Sequence, residues 1–265
     1  TFAQLGFKVA TVSSIGEDPN GRDICDEFKS YGISDKFLQK KNDDQTAYSI
    51  IIVAGSGERT ILVYRGASKK IDAERIPWNK LKSKWIYLTS LGGDIELVNQ
   101  ILEHAKAEDI KVAWNPGNSE LKLGIDELEP LIRKVDVFNL NREEASALTG
   151  IGTGDLKAIV GRLKDLPKRV LLVTDGMGGT YSAEGETLLH SDIIEVPRIN
   201  TTGAGDAFGS GFVAGLLRND DISYGLATGT WNATGLVQEM GAKRGLLNSF
   251  PSDEDINKVT IEPWK

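Results

Sequence analysis

A single cysteine, Cys25, stands in 265 residues, so the chain has no pair for an internal disulfide, which fits a reducing cytoplasm. His104 and His190 are its only histidines and are far apart, so no zinc site of Cys and His is expected. Long apolar runs are also lacking. The longest, "YSIIIVAG" at 48–55, falls far short of the ~20 residues that a membrane helix needs. Positive charge is in deficit, with 31 Lys+Arg against 38 Asp+Glu and a net charge of −7. No basic stripe offsets that balance, which argues against nucleic acid as a partner. No Pro- or Ser-rich linker, internal repeat or low-complexity tract divides the chain. One α/β domain over 1–265 is therefore expected, in the cytoplasm. No signal peptide is visible, and the first residue is Thr rather than Met; the sequence is expected to be part of a longer chain.

What is present is ordinary globular composition, with 40% hydrophobic and 26% charged residues and 29 glycines. Short β-branched runs alternate with longer amphipathic stretches. Strands are expected at 8–15, 46–54, 59–64, 84–90, 110–115, 135–140, 169–175, 179–185 and 192–197. Helices are expected at about 20–31, 93–107, 119–133, 142–149, 154–165, 205–218, 221–239 and 252–258. Runs such as "VLLV" are apolar throughout, as when helices cover both faces of a parallel sheet. The fold class is a doubly wound, mostly parallel α/β sheet flanked by helices. At 46–64 the rhythm breaks: two strand patterns meet at "GSGE" without a helix, which predicts a small antiparallel hairpin.

The densest cluster of small residues is "TTGAGDAF" at 201–208, opening the helical pattern "DAFGSGFVAGLLR" after the expected strand "DIIEVP". A Gly-rich turn leading into a helix gathers backbone N–H groups and the positive helix end at one point, which favours an anion such as phosphate. Taken alone, the same residues also read as a tight turn with Asp206 a favourable first-turn acid. No Walker pattern G-x-x-x-x-G-K-[ST] occurs. After Gly203 and Gly205 the third Rossmann glycine is replaced by Phe208, which disfavours a nicotinamide enzyme. "NREE" at 141–144 reads on its own as a capped surface helix, and "TDG" at 174–176 as a turn.

"NTTGAGDAFGSGF" at 200–212 resembles the C-terminal signature of the ribokinase (PfkB) family of carbohydrate and nucleoside kinases. Other segments match in family order: "SSIGEDPNGRDICDEFKSYGI" with its G-x-D-x-x-G element, "NLNREEASALTG" with N-x-x-E as Asn141 and Glu144, "VTDGMGGTY", and "NATGLVQEMGAKRGL". The resemblance implies a ribokinase-like fold and an ATP-dependent kinase that phosphorylates a hydroxymethyl group of a sugar or nucleoside. Asp206 is then the general base, and the backbone of Gly203, Ala204 and Gly205 the anion hole. Asn141, Thr174, Gly176, Thr202 and Asn232 would line the ATP site. Glu144, with Asn141, would hold Mg²⁺ through water, since Mg²⁺ keeps several waters and few protein ligands.

The resemblance also makes Asn200 and Thr202 the positions for a monovalent cation. Many relatives carry Asp where Asn200 stands, and an amide oxygen without charge counts against K⁺ activation. The family's first strand and G-G segment lie upstream of where this sequence starts. The hairpin corresponds to strands of a small β lid, here drawn over about 36–64, with Thr46 and Tyr48 as substrate-side residues. Lid strands in relatives often pair subunits, which suggests a homodimer. Two alternatives stand beside this reading. One is a regulatory or degenerate relative that binds nucleotide without turnover. The other is a phosphofructokinase-type sugar-phosphate kinase, for which Lys8, Arg59 and Arg65 supply cations.

Overall fold

The computed structural model describes residues 1–53 and 59–265, with the side chains of Val53 and Arg59 left aside. The "GSGE" turn at 55–58 and the Arg59 side chain thus lie outside the described residues. Two compact units are distinguished: Thr1–Phe7 with Lys82–Lys265, and Lys8–Leu81.

In the Lys8–Leu81 unit, β1 (Ala10–Gly16) and β2 (Ser34–Lys41) pair in parallel through α1 (Pro19–Ser30). The G-x-D-x-x-G element makes this crossover. Asp18 caps α1 by accepting from the Gly21 N–H at 2.8 Å. Its other oxygen accepts from the Thr46 N–H at 2.6 Å, and the Thr46 hydroxyl donates to Asp18 at 2.8 Å. That hydroxyl in turn accepts from the Gly16 N–H at 2.9 Å. The glycines follow from the clasp: a Cβ on Gly21 would stand 2.2 Å from the Gly16 carbonyl. β3 (Tyr48–Val53) and β4 (Arg59–Tyr64) pair antiparallel, with Ile51 opposite Ile61.

The other unit is built on a seven-stranded sheet. Its strands are β5 (Trp85–Leu88), β6 (Lys111–Trp114), β7 (Val137–Asn141), β8 (Val170–Thr174), β9 (Thr180–Glu184), β10 (Thr187–Ser191) and β11 (Ile261–Pro263), in chain order across the sheet. β5 to β8 run parallel, and β8 to β11 pair antiparallel. One face is covered by α2 (Ile95–Ala107), α3 (Asn118–Leu121), α4 (Ile125–Ile132), α5 (Arg142–Thr149) and α6 (Leu156–Leu163), around a core containing Trp114, Phe138 and Leu171. On the opposite face, Val137, Val170 and Leu172 pack against Phe208, Phe212 and Leu226 of α7 (Ala204–Asn219) and α8 (Ile222–Val237). α9 (Asp253–Ile256) follows. Each fully buried large apolar side chain of these two cores contributes about 1.5–3 kcal/mol.

α7 and α8 approach at backbone distance because each carries glycines four residues apart on the facing side. A Cβ on Gly211 would meet Gly229 Cα at 3.0 Å, and one on Gly215 would meet Gly225 Cα at 2.7 Å. Close packing of this kind sets the position of the α7 N-terminus.

Two expectations fail locally. "DIIEVP" at 192–197 is not a strand; the strand lies just before it, at Thr187–Ser191, where Gly185 (φ 56°) turns β9 back on β10. An irregular stretch thus separates the sheet from α7, with Ile193 and Ile194 half-buried. The helix expected at 119–133 is divided into α3 and α4 at Gly124, whose φ is 83°.

Candidate active site

α7 begins at Gly203, a left-handed residue (φ 83°) that swings the chain into the helix. A Cβ there would be strained and would press on Ala242 at 3.2 Å. Ala204 and Gly205 form the first helical positions and line a cavity of about 340 Å³. Around Gly205 nothing lies within 4 Å of where a Cβ would be; the glycine faces open space. The cavity is walled by the end of β8 (Thr174, Gly176), the irregular stretch (Ile193, Ile194, Arg198) and α8.

Asp206 follows in the first turn of α7. It is accessible to solvent, while the atoms crowded around its carboxyl group push its pKa above the ordinary value by desolvation. Glu144 is half-buried. Its pKa is raised first by burial and further by the charges of Asp206 and Glu143, against a lowering bond from the Asn141 N–H. The charge felt between Glu144 and Asp206 puts the two carboxylates in one electrostatic neighbourhood.

Asn141 and Glu144 form a reciprocal capping box on α5. Asn141 Oδ1 accepts from the Glu144 N–H at 2.7 Å, and Glu144 Oε2 accepts from the Asn141 N–H at 2.9 Å. The segment is thus a capped helix start, and its Glu144 feels the charge of Asp206. Among the described residues no cluster of three or more His, Cys, Asp or Glu could cage a metal. Asn200 folds its amide oxygen back onto the Thr202 N–H at 2.7 Å, in the turn before Gly203.

Asn232 is not on the cavity wall. It is fully buried in α8, donating to the Ala207 carbonyl at 2.7 Å and to the Thr1 hydroxyl at 3.0 Å, and accepting from the Leu247 N–H at 2.9 Å. It binds α8 to α7. Thr46 and Tyr48 belong to the Lys8–Leu81 unit. Thr46 is buried in the Asp18 clasp, and Tyr48 is exposed and lines a recess with Asp43, Asp44, Gln45 and Tyr64.

The residues that sequence reasoning missed are the stripe Thr230, Ala233, Thr234 and Val237, which walls the cavity. Its i, i+3, i+4, i+7 spacing was visible as one helix face. Also missed were Tyr87 and Asn139 beneath α7. A Cβ on Gly209 would stand 2.6 Å from both the Tyr87 hydroxyl and Asn139 Nδ2. Burial, and then the Asp206 charge, raise the Tyr87 pKa.

The sequence matches the model of the pfkB family carbohydrate kinases over residues 1–248. It is 30% identical over 267 aligned positions to the ribokinase of Haemophilus influenzae, covering 96% of this chain and 81% of that one. It is 26% identical over 250 positions to an uncharacterized sugar kinase of Archaeoglobus fulgidus, covering 93% and 98%. The Arabidopsis thaliana ribokinase, solved with ribose and ATP, superposes with a TM-score of 0.77 at 22% identity, over 97% of this chain and 83% of that one. The cavity at the α7 N-terminus and these likenesses agree: the chain belongs to the pfkB family of carbohydrate kinases, ATP-dependent phosphotransferases with an alcohol group as acceptor.

Proposed function

We propose that this kinase transfers the γ-phosphate of ATP to a hydroxymethyl group of a sugar or nucleoside, with Asp206 as the general base. One observation carries the assignment: Asp206 stands in the first turn of α7, whose N-terminal residues Ala204 and Gly205 line the cavity, and its carboxyl pKa is pushed up by desolvation. A carboxylate of raised pKa holds a proton better and so draws it more strongly from an attacking hydroxyl. The N–H groups of Gly203, Ala204 and Gly205, with the positive end of a 16-residue helix, stabilise the charge on the phosphoryl group in transfer. The Ala204 N–H donates to the Thr201 carbonyl at 3.2 Å, the long end of the normal range. Thr174 and Gly176, at the carboxyl end of β8 where ligands sit in open α/β sheets, flank the donor.

Mg²⁺ fits this site as an ion held mostly by water and phosphate. Glu144 and Asp206 repel one another, and a cation relieves that repulsion. Glu144, with Asn141 through water, would hold the ion, which neutralises charge on the donor phosphates. Asn200 offers no charge, and its oxygen is engaged in its own turn; turnover without K⁺ is proposed.

Among the described residues no helix is long and apolar enough to cross a membrane, and a cytoplasmic setting is proposed. The β3–β4 hairpin leaves Ile50, Ile51, Ile52, Leu62 and Val63 about half exposed. An isolated two-stranded hairpin is marginal in water, and we assign its cover to a second copy of the chain. Neither the non-catalytic nor the sugar-phosphate alternative is favoured.

The test is ADP release with ATP and a panel of pentoses, hexoses and nucleosides. Turnover with at least one acceptor, lost in Asp206→Asn while ATP still binds, supports the reading. Full turnover by Asp206→Asn overturns the base assignment.

A further inference from the structure

Arg142 occupies the first position of α5, between Asn141 and Glu144, yet its side chain leaves that helix. Its Nη1 lies 2.6 Å from Asp175 Oδ2, and its Nε donates to the Thr153 carbonyl at 2.7 Å. Both partners are mostly shielded, with 27% and 19% of their side chains exposed. Asp175 follows β8, whose last residue, Thr174, stands opposite Asn141 in the parallel pairing with β7. Thr174 and Gly176 line the cavity; Asp175, between them, does not. Its carboxylate lies instead over Gly178, where a Cβ would stand 2.5 Å from Oδ2. The Asp175 carboxylate is thus turned away from the cavity, whose lining includes the α7 N-terminus, Arg198 and one other carboxylate residue, Asp192.

We propose that Arg142 is a positioning residue that sequesters the Asp175 carboxylate from the phosphates of the donor nucleotide, binding the donor-side turn to the helix that carries Glu144. The inference rests on the reading of this cavity as the ATP site. Released from Arg142, the Asp175 side chain is free to rotate toward Thr174 and Gly176. Its charge then opposes the donor phosphates at close range in a partly desolvated site, where like charges repel strongly.

The experiment is a double-mutant comparison on the full chain, with ATP binding followed by titration calorimetry and KM measured separately for ATP and for the acceptor. Arg142→Met is expected to weaken ATP about tenfold and to leave the acceptor KM unchanged. Asp175→Asn is expected to bind ATP as the unaltered chain does. Arg142→Met with Asp175→Asn is expected to recover ATP binding, because the offending charge is gone although the ion pair is still broken. A merely structural clamp predicts the reverse, with the double variant as weak as Arg142→Met; that result, or undiminished ATP binding by Arg142→Met, overturns the proposal. Should Arg142→Met not fold, Arg142→Gln with and without Asp175→Asn carries the same comparison. ATP binding by the unaltered chain is measured first, and its absence overturns the site reading together with this inference.

Discussion

Glu144 and Asp206 come from helices on opposite faces of one sheet, yet the charge of Asp206 is felt at Glu144, where it adds to the rise in pKa from burial against the lowering bond from the Asn141 N–H. Both carboxyl groups therefore hold protons to higher pH than ordinary side chains. Since the base works ionised, kcat/KM is expected to fall as pH drops through the raised Asp206 pKa, above the ordinary aspartate value of 3.8. A pH–rate profile under subsaturating acceptor checks this. An acidic limb at or below the ordinary aspartate value would remove Asp206 from the role.

The same shifts have a consequence for stability. A carboxyl group with a folded pKa above its unfolded value binds its proton more tightly when folded, so the folded state gains stability as pH falls through that window and loses it above. At neutral pH the ionised Asp206 is thus a burden on the fold. Asp206→Asn is expected to lower kcat about 10²–10⁴-fold while leaving the melting temperature unchanged or raised. A large drop in melting temperature would show that the carboxylate has a structural task instead.

Gly205 separates function from fold still more directly. No atom lies within 4 Å of the position a Cβ would take, and the residue is helical without a positive φ. Gly205→Ala is therefore expected to stabilise the protein by about 0.4–1 kcal/mol. Its methyl group would project into the cavity and obstruct the phosphoryl group, with kcat/KM reduced by an order of magnitude or more, about 1.4 kcal/mol per tenfold. Denaturant unfolding and steady-state kinetics on the same preparation read both effects. Unchanged activity would mean that no phosphate passes Gly205.

Much of the order of elements, and the glycine-rich start of α7, were legible because both are local, whereas the strand at Ser34–Lys41 was not expected. Apolar strands of four to six residues, amphipathic helices and a glycine-rich helix start announce themselves within a short window. "DIIEVP" misled because its composition is that of a strand, while pairing depends on β9 and the turn at Gly185, which set which segment enters the ladder. Asn232 lies off the cavity lining for another reason. A polar residue in a matching segment reads as a ligand contact, and only the packed structure shows that Ala207, Thr1 and Leu247 take up its hydrogen bonds. The electrostatic link between Glu144 and Asp206 was not legible, because no spacing within a sequence reveals which groups feel one another across a sheet.

Asn232 and Thr46 are accordingly expected to fail by unfolding, with binding intact in the folded fraction. Asn232→Ala strands the Leu247 N–H, at about 1–3 kcal/mol for a shielded group left without a partner, and removes one of the donors to the Ala207 carbonyl, which keeps the Ser210 hydroxyl at 3.2 Å. Thr46→Val keeps the shape but strands the Gly16 N–H, at a similar cost of about 1–3 kcal/mol. Urea midpoints measure both, and ATP titration of the folded fraction reads the rest. Asn232→Ala with normal stability and lost ATP affinity would restore that residue to the nucleotide site.

The β3–β4 hairpin gives a final expectation. Ile50, Ile51 and Ile52 are consecutive, so they alternate between the two faces of the ribbon, and all three are about half exposed, as are Leu62 opposite Ile50 and Ile61 opposite Ile51. A patch of exposed apolar side chains such as this marks an interaction surface. The chain is expected to elute as a dimer on size-exclusion chromatography with light scattering. Replacing Ile51 with Lys sets a charge in the paired face, as edge lysines do in proteins that avoid association. That variant is expected to run as a monomer at micromolar concentration, with its melting temperature lowered and newly independent of protein concentration. A monomeric unaltered chain, or a dimer that survives both Ile51→Lys and Leu62→Lys, would place the subunit contact elsewhere.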